Sequence, residues 1–322
     1  MTSTRTLGSS DIVVTTVGIG CNAFGSRIDL EQTTAVVDAA FDEGVTFFDT
    51  ADTYGLGQSE ELLGRALGSR RDQVVVATKF GMDMQGVNGD DGGRRGTPEY
   101  VRTAVEASLR RLGTDYIDLY QLHTPDPSTP IEETLGTLTE LFAEGKVRAI
   151  GSSNLQAWQA VDAAWISRTQ GLESFVTAQN EYSLYNRTAE VELVPACLDL
   201  GVSLLPYFPL AYGLLTGKYR AGEPAPEGSR LAAQTSRLEG ADWDRIDALQ
   251  AFAESCDVSV LELAIGGLAA QPAVASVIAG ATRPEQVAAN AAAARWVPSA
   301  AQLDDLADIG RPSQSYTTFA PK

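Results

Sequence analysis

A single histidine and only three cysteines, Cys21, Cys197 and Cys256, stand among 322 residues. With no CxxC pair and an odd total, neither a disulfide framework nor a conventional zinc site is legible, and a reducing compartment is expected. Long apolar runs are missing too. The stretch near 263–270 is bounded by Glu262, Gln271 and Pro272, and the opening MTSTRTLGSS has no apolar signal core. Basic residues are scarce, 24 against 42 acidic, and the net charge of −18 repels nucleic acid and anionic lipid. The expectation is a soluble, cytoplasmic protein without nucleic acid or membrane as partner.

What is present suits a large packed core: 44% of the residues are apolar and 20% are charged, which excludes disorder and fibre. Short apolar or β-branched runs alternate with helical periodicity along the whole chain. The runs are 15–20, 45–50, 73–80, 116–123, 147–153, 175–179, 202–207 and 275–280. Most lack strict alternation, as strands buried on both faces do. Eight such β/α units predict an α/β fold, a (β/α)8 TIM barrel forming one domain over 1–322. A hairpin around Gly8-Ser9-Ser10-Asp11 is expected to close its floor.

Helix signals are local. Val101, Val105, Leu109 and Leu112 form one apolar stripe, and Ile131, Leu135, Leu138 and Phe142 a second. Thr97-Pro98 and Thr129-Pro130 read as a capping hydroxyl before a proline in the first helical position, and Asp29 with Gln32 as a capping box. Gly44 and Gly145 stop two helices. Two loops are long, 81–97 and 208–240, and loops of that length are usually functional or mobile.

Asp49 ends the second strand run, Tyr54 follows in the next loop, Lys79 closes the third run and His123 the fourth. Parallel strands of one barrel end on the same face, so these four groups should converge. Lys79 follows Val74-Val75-Val76-Ala77-Thr78, so its ammonium needs a buried partner, and Asp49 can supply one. Such a pair can merely brace the barrel. It can also hold an ammonium beside Tyr54 and lower the phenol's pKa, which makes the hydroxyl a useful proton donor. A lone histidine is more often structural than catalytic, but His123 is delivered to the rim that faces these groups.

These residues carry a resemblance. The stretches FFDTADTYGLGQSEELLGRAL (47–67), VVVATKFG (74–81), YIDLYQLHTPD (116–126) and VRAIGSSN (147–154) resemble the aldo-keto reductase family over nearly the whole chain. The family's four catalytic groups fall on Asp49, Tyr54, Lys79 and His123. The resemblance implies reduction of an aldehyde or ketone by hydride from NADPH, with Tyr54 protonating the oxygen and His123 orienting the carbonyl. It implies that Ser153, Asn154 and Gln179 hold the nicotinamide carboxamide and that Tyr207 stacks on its ring. Gly20, Cys21, Asn22 and Asp49 fall along the cofactor's path. Phe208, Pro209 and Leu210, with Lys218 and Arg230, correspond to the loop over the pyrophosphate. Gly280, Thr282, Arg283, Gln286 and Asn290 correspond to the adenosine 2′-phosphate end. Some branches carry Lys-Ser where this chain has Gly280-Ala281 and Arg where it has Gln286; Arg283 can compensate, so NADP(H) is favoured over NAD(H). Family habit points to a monomer that needs no metal and has a small carbonyl compound as its only partner.

Other readings keep the same residues. Lys79 could form a Schiff base in a lyase, and a nicotinamide-binding regulatory subunit could keep the barrel with little turnover. Gly18-Ile19-Gly20-Cys21-Asn22-Ala23 matches a dinucleotide fingerprint, yet 24–28 intervenes before the helix cap at Asp29, which argues against a Rossmann unit. Asn22 and Phe24 are better placed as walls of the active-site mouth. Tyr212, Met82 and Met84 are candidates for an apolar pocket, and the tail with Tyr316 and Phe319 for substrate selection.

Overall fold

Eight short parallel strands form a ring in the computed structural model, which describes residues 2–312 except 90, 228 and 234. A hairpin of β1 (Thr4–Thr6) and β2 (Val13–Thr15) comes first. The ring consists of β3 (Val17–Gly20), β4 (Phe47–Asp49), β5 (Val75–Phe80), β6 (Ile117–Leu122), β7 (Val147–Ser153), β8 (Thr177–Gln179), β9 (Ser203–Leu204) and β10 (Val277–Gly280). Strands adjacent in sequence pair in space, β10 pairs with β3, and the parallel bridges Leu204↔Val274 and Tyr207↔Ile278 join the remaining edges. This is the expected (β/α)8 barrel. The run 202–207 yields only a two-residue strand, because Pro206 has no N–H to give the ladder.

Helices α1 (Leu30–Asp42), α2 (Gln58–Leu67), α3 (Pro98–Leu112), α4 (Ile131–Ala143), α5 (Ala157–Gln170) and α6 (Leu193–Leu200) alternate with the strands. Beyond β9 come α7 (Thr235–Glu239), α8 (Trp243–Ser255) and α9 (Val260–Ala269), then α10 (Pro284–Ala293) and α11 (Ala300–Asp308) after β10. The long loop 208–240 thus carries α7 and short 3-10 turns.

The caps decide where helices begin. Asp29 and Gln32 form the reciprocal box, and Thr97 Oγ1 accepts the Tyr100 N–H ahead of Pro98. Thr129 does not cap α4: its hydroxyl donates to Asp126 Oδ2 at 2.7 Å, and Pro130 takes the capping position. The α3 stripe is buried as expected. That of α4 is displaced. Its buried arc is Thr134, Leu135, Thr137, Leu138 and Leu141, whereas Phe142 is 40% exposed in the last turn. Small threonines occupy part of the face, so apolar spacing alone misplaces its centre.

Inside the ring, Phe47, Ala77, Leu119, Ala149, Val176, Leu205, Ala275 and Ile278 pack together with Leu7 and Val14 of the hairpin. The hairpin therefore plugs the floor. Gly8 makes this possible: its φ is +50°, and a Cβ there would lie 2.4 Å from the Val176 carbonyl oxygen. Gly8→Ala should cost about 1–3 kcal/mol of stability, from overpacking and the left-handed backbone. Urea unfolding midpoints of the two proteins check this.

Candidate active site

The upper rim gathers the polar ends of neighbouring strands. Asp49 closes β4, Lys79 lies in β5 opposite Gln121 of β6, and Ser153 of β7 pairs with Gln179 of β8. His123 follows β6, its N–H donating to the Phe80 carbonyl at 2.7 Å. Lys79 is fully buried and has three oxygen partners: Asp49 Oδ2 at 2.7 Å, the Thr50 carbonyl at 2.8 Å and the Tyr54 hydroxyl at 3.5 Å. Three donors meet three acceptors, which fixes the ammonium. The His123 ring stands edge-on to Tyr54 with centroids 5.9 Å apart. The four residues that sequence position predicts to converge do so.

Charge follows from burial. Desolvation would lower the Lys79 pKa, but Asp49 and Tyr54, through charge and hydrogen bonds, outweigh it and hold the ammonium above its ordinary value. The expected lowering of the Tyr54 pKa is overturned. Burial raises it, Lys79 opposes that, Asp49 adds to it, and the net direction is upward. At neutral pH Tyr54 is therefore a fully protonated phenol. His123 is pushed down to about 3, by burial first and by Lys79 second, so its imidazole is neutral.

The His123 shift has a thermodynamic consequence. Between about pH 3 and 6.5 the unfolded imidazole binds a proton that the folded one does not, so stability rises with pH there and is lost as pH falls. Above 6.5 both states are neutral. His123→Asn should remove about 1.4 kcal/mol per pH unit from the slope of unfolding free energy between pH 4 and 6. Denaturant melts across that range provide the check.

Around this core lie the residues matched to the cofactor. Gln179 Nε2 and Gln121 Nε2 donate to Asp49 Oδ1 at 2.7 and 3.3 Å. Ser153 Oγ donates to the Gln179 carbonyl at 2.9 Å. Asn154, at φ 60°, donates its amide to the His123 carbonyl and to Ser153 Oγ while accepting from the Tyr207 hydroxyl at 2.7 Å. Asparagine tolerates that left-handed backbone better than most residues do. With both side-chain N–H groups of Asn154 committed, what it can still offer is its oxygen, an acceptor that fits a carboxamide NH2, whereas Gln179 keeps one N–H beside its own oxygen.

The remaining expectations land unevenly. Gly20 and Gly280 pair in register, Cys21 is buried, and Asn22 Oδ1 accepts from Arg27. Phe24 does not wall a mouth; it is fully buried in the core among helix-facing residues. Tyr207, Phe208 and Tyr212 form a chain of rings, with Pro209 and Leu210 between. Lys218 is exposed, its ammonium 5.2 Å from the Tyr219 ring centroid. Arg283 caps α10 by position, without a side-chain cap bond. Gln286 turns back and accepts from the N–H and hydroxyl of Thr282, and buried Asn290 has an amide nitrogen without a partner. Met84 is core and Met82 is half-buried. The Arg230 side chain, Tyr316 and Phe319 lie outside the described parts.

Two features escaped the sequence reading. Gln121, on Asp49, could have been found from its inward register opposite Lys79. The other is a buried network behind Lys79. Thr78 donates to Glu60 Oε1, Arg111 donates to Glu60 Oε2 and to Asn88 Oδ1, and Asn88 donates to Asp52 Oδ2. It ties loop 81–97 to the Tyr54 loop. Burial, then Glu60, pushes the Asp52 carboxyl up to about 8. No local motif marks such a network.

A sequence profile described as Aldo/keto reductase family matches residues 16–311. The chain is 35% identical over 293 residues to "Probable aldo-keto reductase 1" of Glycine max, covering 88% of this chain and 82% of that one. It is 34% identical over 305 residues to "Probable voltage-gated potassium channel subunit beta" of Arabidopsis thaliana, covering 91% and 92%. Among solved structures it is similar to the holo form of aldo-keto reductase AKR11C1 from Bacillus halodurans, with a TM-score of 0.75, 33% identity and 95% of both chains covered.

Proposed function

Because the chain belongs to the aldo-keto reductase family, we propose that it reduces an aldehyde or ketone to an alcohol with NADPH, Tyr54 giving its hydroxyl proton to the carbonyl oxygen. The observation that carries this reading is the Lys79 ammonium, 2.7 Å from Asp49 and 3.5 Å from the Tyr54 hydroxyl. When bound, the reduced nicotinamide supplies the hydride to the carbonyl carbon.

The chain's own residues do the rest. Tyr54 enters the reaction protonated. As its proton leaves, the negative charge on its oxygen develops beside Lys79, in a buried setting where that attraction is strong. Asp49 keeps the ammonium charged and in place. His123, neutral, orients the carbonyl by a ring N–H and does not compete for the proton. Ser153, Asn154, Gln179 and Tyr207 hold the nicotinamide end. Phe208, Pro209, Leu210 and Lys218 hold the pyrophosphate. Gly280, Thr282, Arg283, Gln286 and Asn290 hold the adenosine end, where α10 offers its positive N-terminus to a phosphate. In this reading the protein is cytoplasmic, with its cysteines free, and acts as a monomer on small carbonyl compounds. No helix among the described residues is long and apolar enough to cross a membrane.

A Schiff-base lyase would need a neutral Lys79, which its ion pair with Asp49 opposes. The channel-subunit relative keeps open a nucleotide-holding role with little turnover. The experiment is NADPH consumption with aldehydes and ketones, with NADH as a second arm, for the unaltered protein and Tyr54→Phe. Carbonyl-dependent consumption that needs Tyr54 supports the reductase reading; equal rates in both proteins overturn it.

A further inference from the structure

We propose that the cleft beside Tyr207 recognises a carboxylate carried by the carbonyl substrate, and that Arg237 grips it. This rests on the reductase reading above. The cleft measures about 1390 Å³ and is lined by Asn154 and Tyr207 together with four arginines. Four cations meet there in a chain of net charge −18, and Glu190, Asp242 and Asp308 offset three of them.

The four guanidinium groups differ in what they are free to do. Arg187 is committed to Glu190 and to the carbonyls of Leu306, Ala307 and Ile309. Arg245 donates to the Tyr185 carbonyl at 2.6 Å and lies 3.4 Å from Asp242. Arg311 faces Asp308 at 3.9 Å. Arg237 makes no hydrogen bond or ion pair among the described residues; it lies over the Tyr212 ring, 3.6 Å from the centroid.

That stacking is anchored. Tyr212 packs on Phe208 with centroids 4.3 Å apart and planes tilted by 39°, Phe208 meets Tyr207 edge-on at 5.1 Å, and the Tyr207 hydroxyl bonds Asn154. Tyr212 holds its ring there from a φ of 61°, a costly backbone state for a bulky residue. A guanidinium lying on an aromatic face keeps its in-plane N–H fork for an incoming ligand, and a carboxylate matches that fork with two parallel bonds. The cleft also holds Glu181, whose Oε1 accepts from Asn186, and Glu192. Anion attraction is therefore confined to the Arg237 side and does not extend over the whole surface.

The test compares kcat/KM for 4-carboxybenzaldehyde with its methyl ester, and for 6-oxohexanoate with its methyl ester. The unaltered protein should prefer at least one acid over its ester, less so as salt is added. Arg237→Met should cut that acid-to-ester ratio by about tenfold or more through KM, and Arg237→Lys should retain part of it. An unchanged ratio in Arg237→Met overturns the proposal. So does a raised KM for NADPH with the ratio unchanged, since the guanidinium would then serve the cofactor. Turnover of the esters with no preference for either acid sinks this inference and leaves the reductase reading standing. No NADPH consumption with any of the four compounds sinks both.

Discussion

Tyr54→Phe is expected to lower kcat for carbonyl reduction by about 10²–10⁴-fold, the usual worth of a placed proton donor. The change removes one oxygen and leaves the ring, so the edge-on contact with His123 and the backbone of the loop should persist. NADPH affinity, read by fluorescence quenching, should therefore stay within a few-fold of the unaltered protein. A loss in kcat without a loss in cofactor binding is the signature of a group acting on the reacting atoms. Since burial raises the Tyr54 pKa, the reductive rate should show no alkaline limb below the ordinary tyrosine range. Retained turnover in Tyr54→Phe would remove the proposed acid.

The second large effect concerns the pair beneath it. Lys79→Met leaves the Asp49 carboxylate buried without its cation, and breaking a buried pair from one side typically costs about 3–5 kcal/mol. Asp49→Asn with Lys79→Met removes both charges and should regain most of that stability, because Gln179 and Gln121 can still donate to the remaining amide oxygen. Turnover should not return, since no cation then faces the Tyr54 oxygen. Urea melts and kcat on the same three proteins separate the structural from the chemical role. Equal stability of the single and double variants would mean that the pair is not the desolvated unit described here.

How much of this was legible in sequence depends on the kind of fact. The ring was legible because eight apolar or β-branched runs alternate with stretches of helical period, and parallel strands bring their carboxyl ends to one rim. Asp49, Lys79 and His123 were found by that rule alone. The direction of the Tyr54 shift was not. It depends on how completely other side chains displace water from the phenol, and burial outweighs the cation visible in the motif. Thr129 and Phe142 were misread for a local reason. Asp126 competes for the threonine hydroxyl, and Thr134 and Thr137 take inward positions on α4 that apolar counting ignores. The Asp52, Glu60, Asn88 and Arg111 network joins segments up to 59 residues apart (52 to 111), and no short-range pattern announces such a meeting.

The pairing of β3 with β10 sets the timetable of assembly. Residues 17–20 find their outer neighbour only in residues 277–280, so on the ribosome the first barrel strand waits through most of translation with one row of peptide groups bare. Such an exposed row invites other chains. The nascent protein should thus lean most on chaperones late in synthesis, until the final strand seals the cylinder.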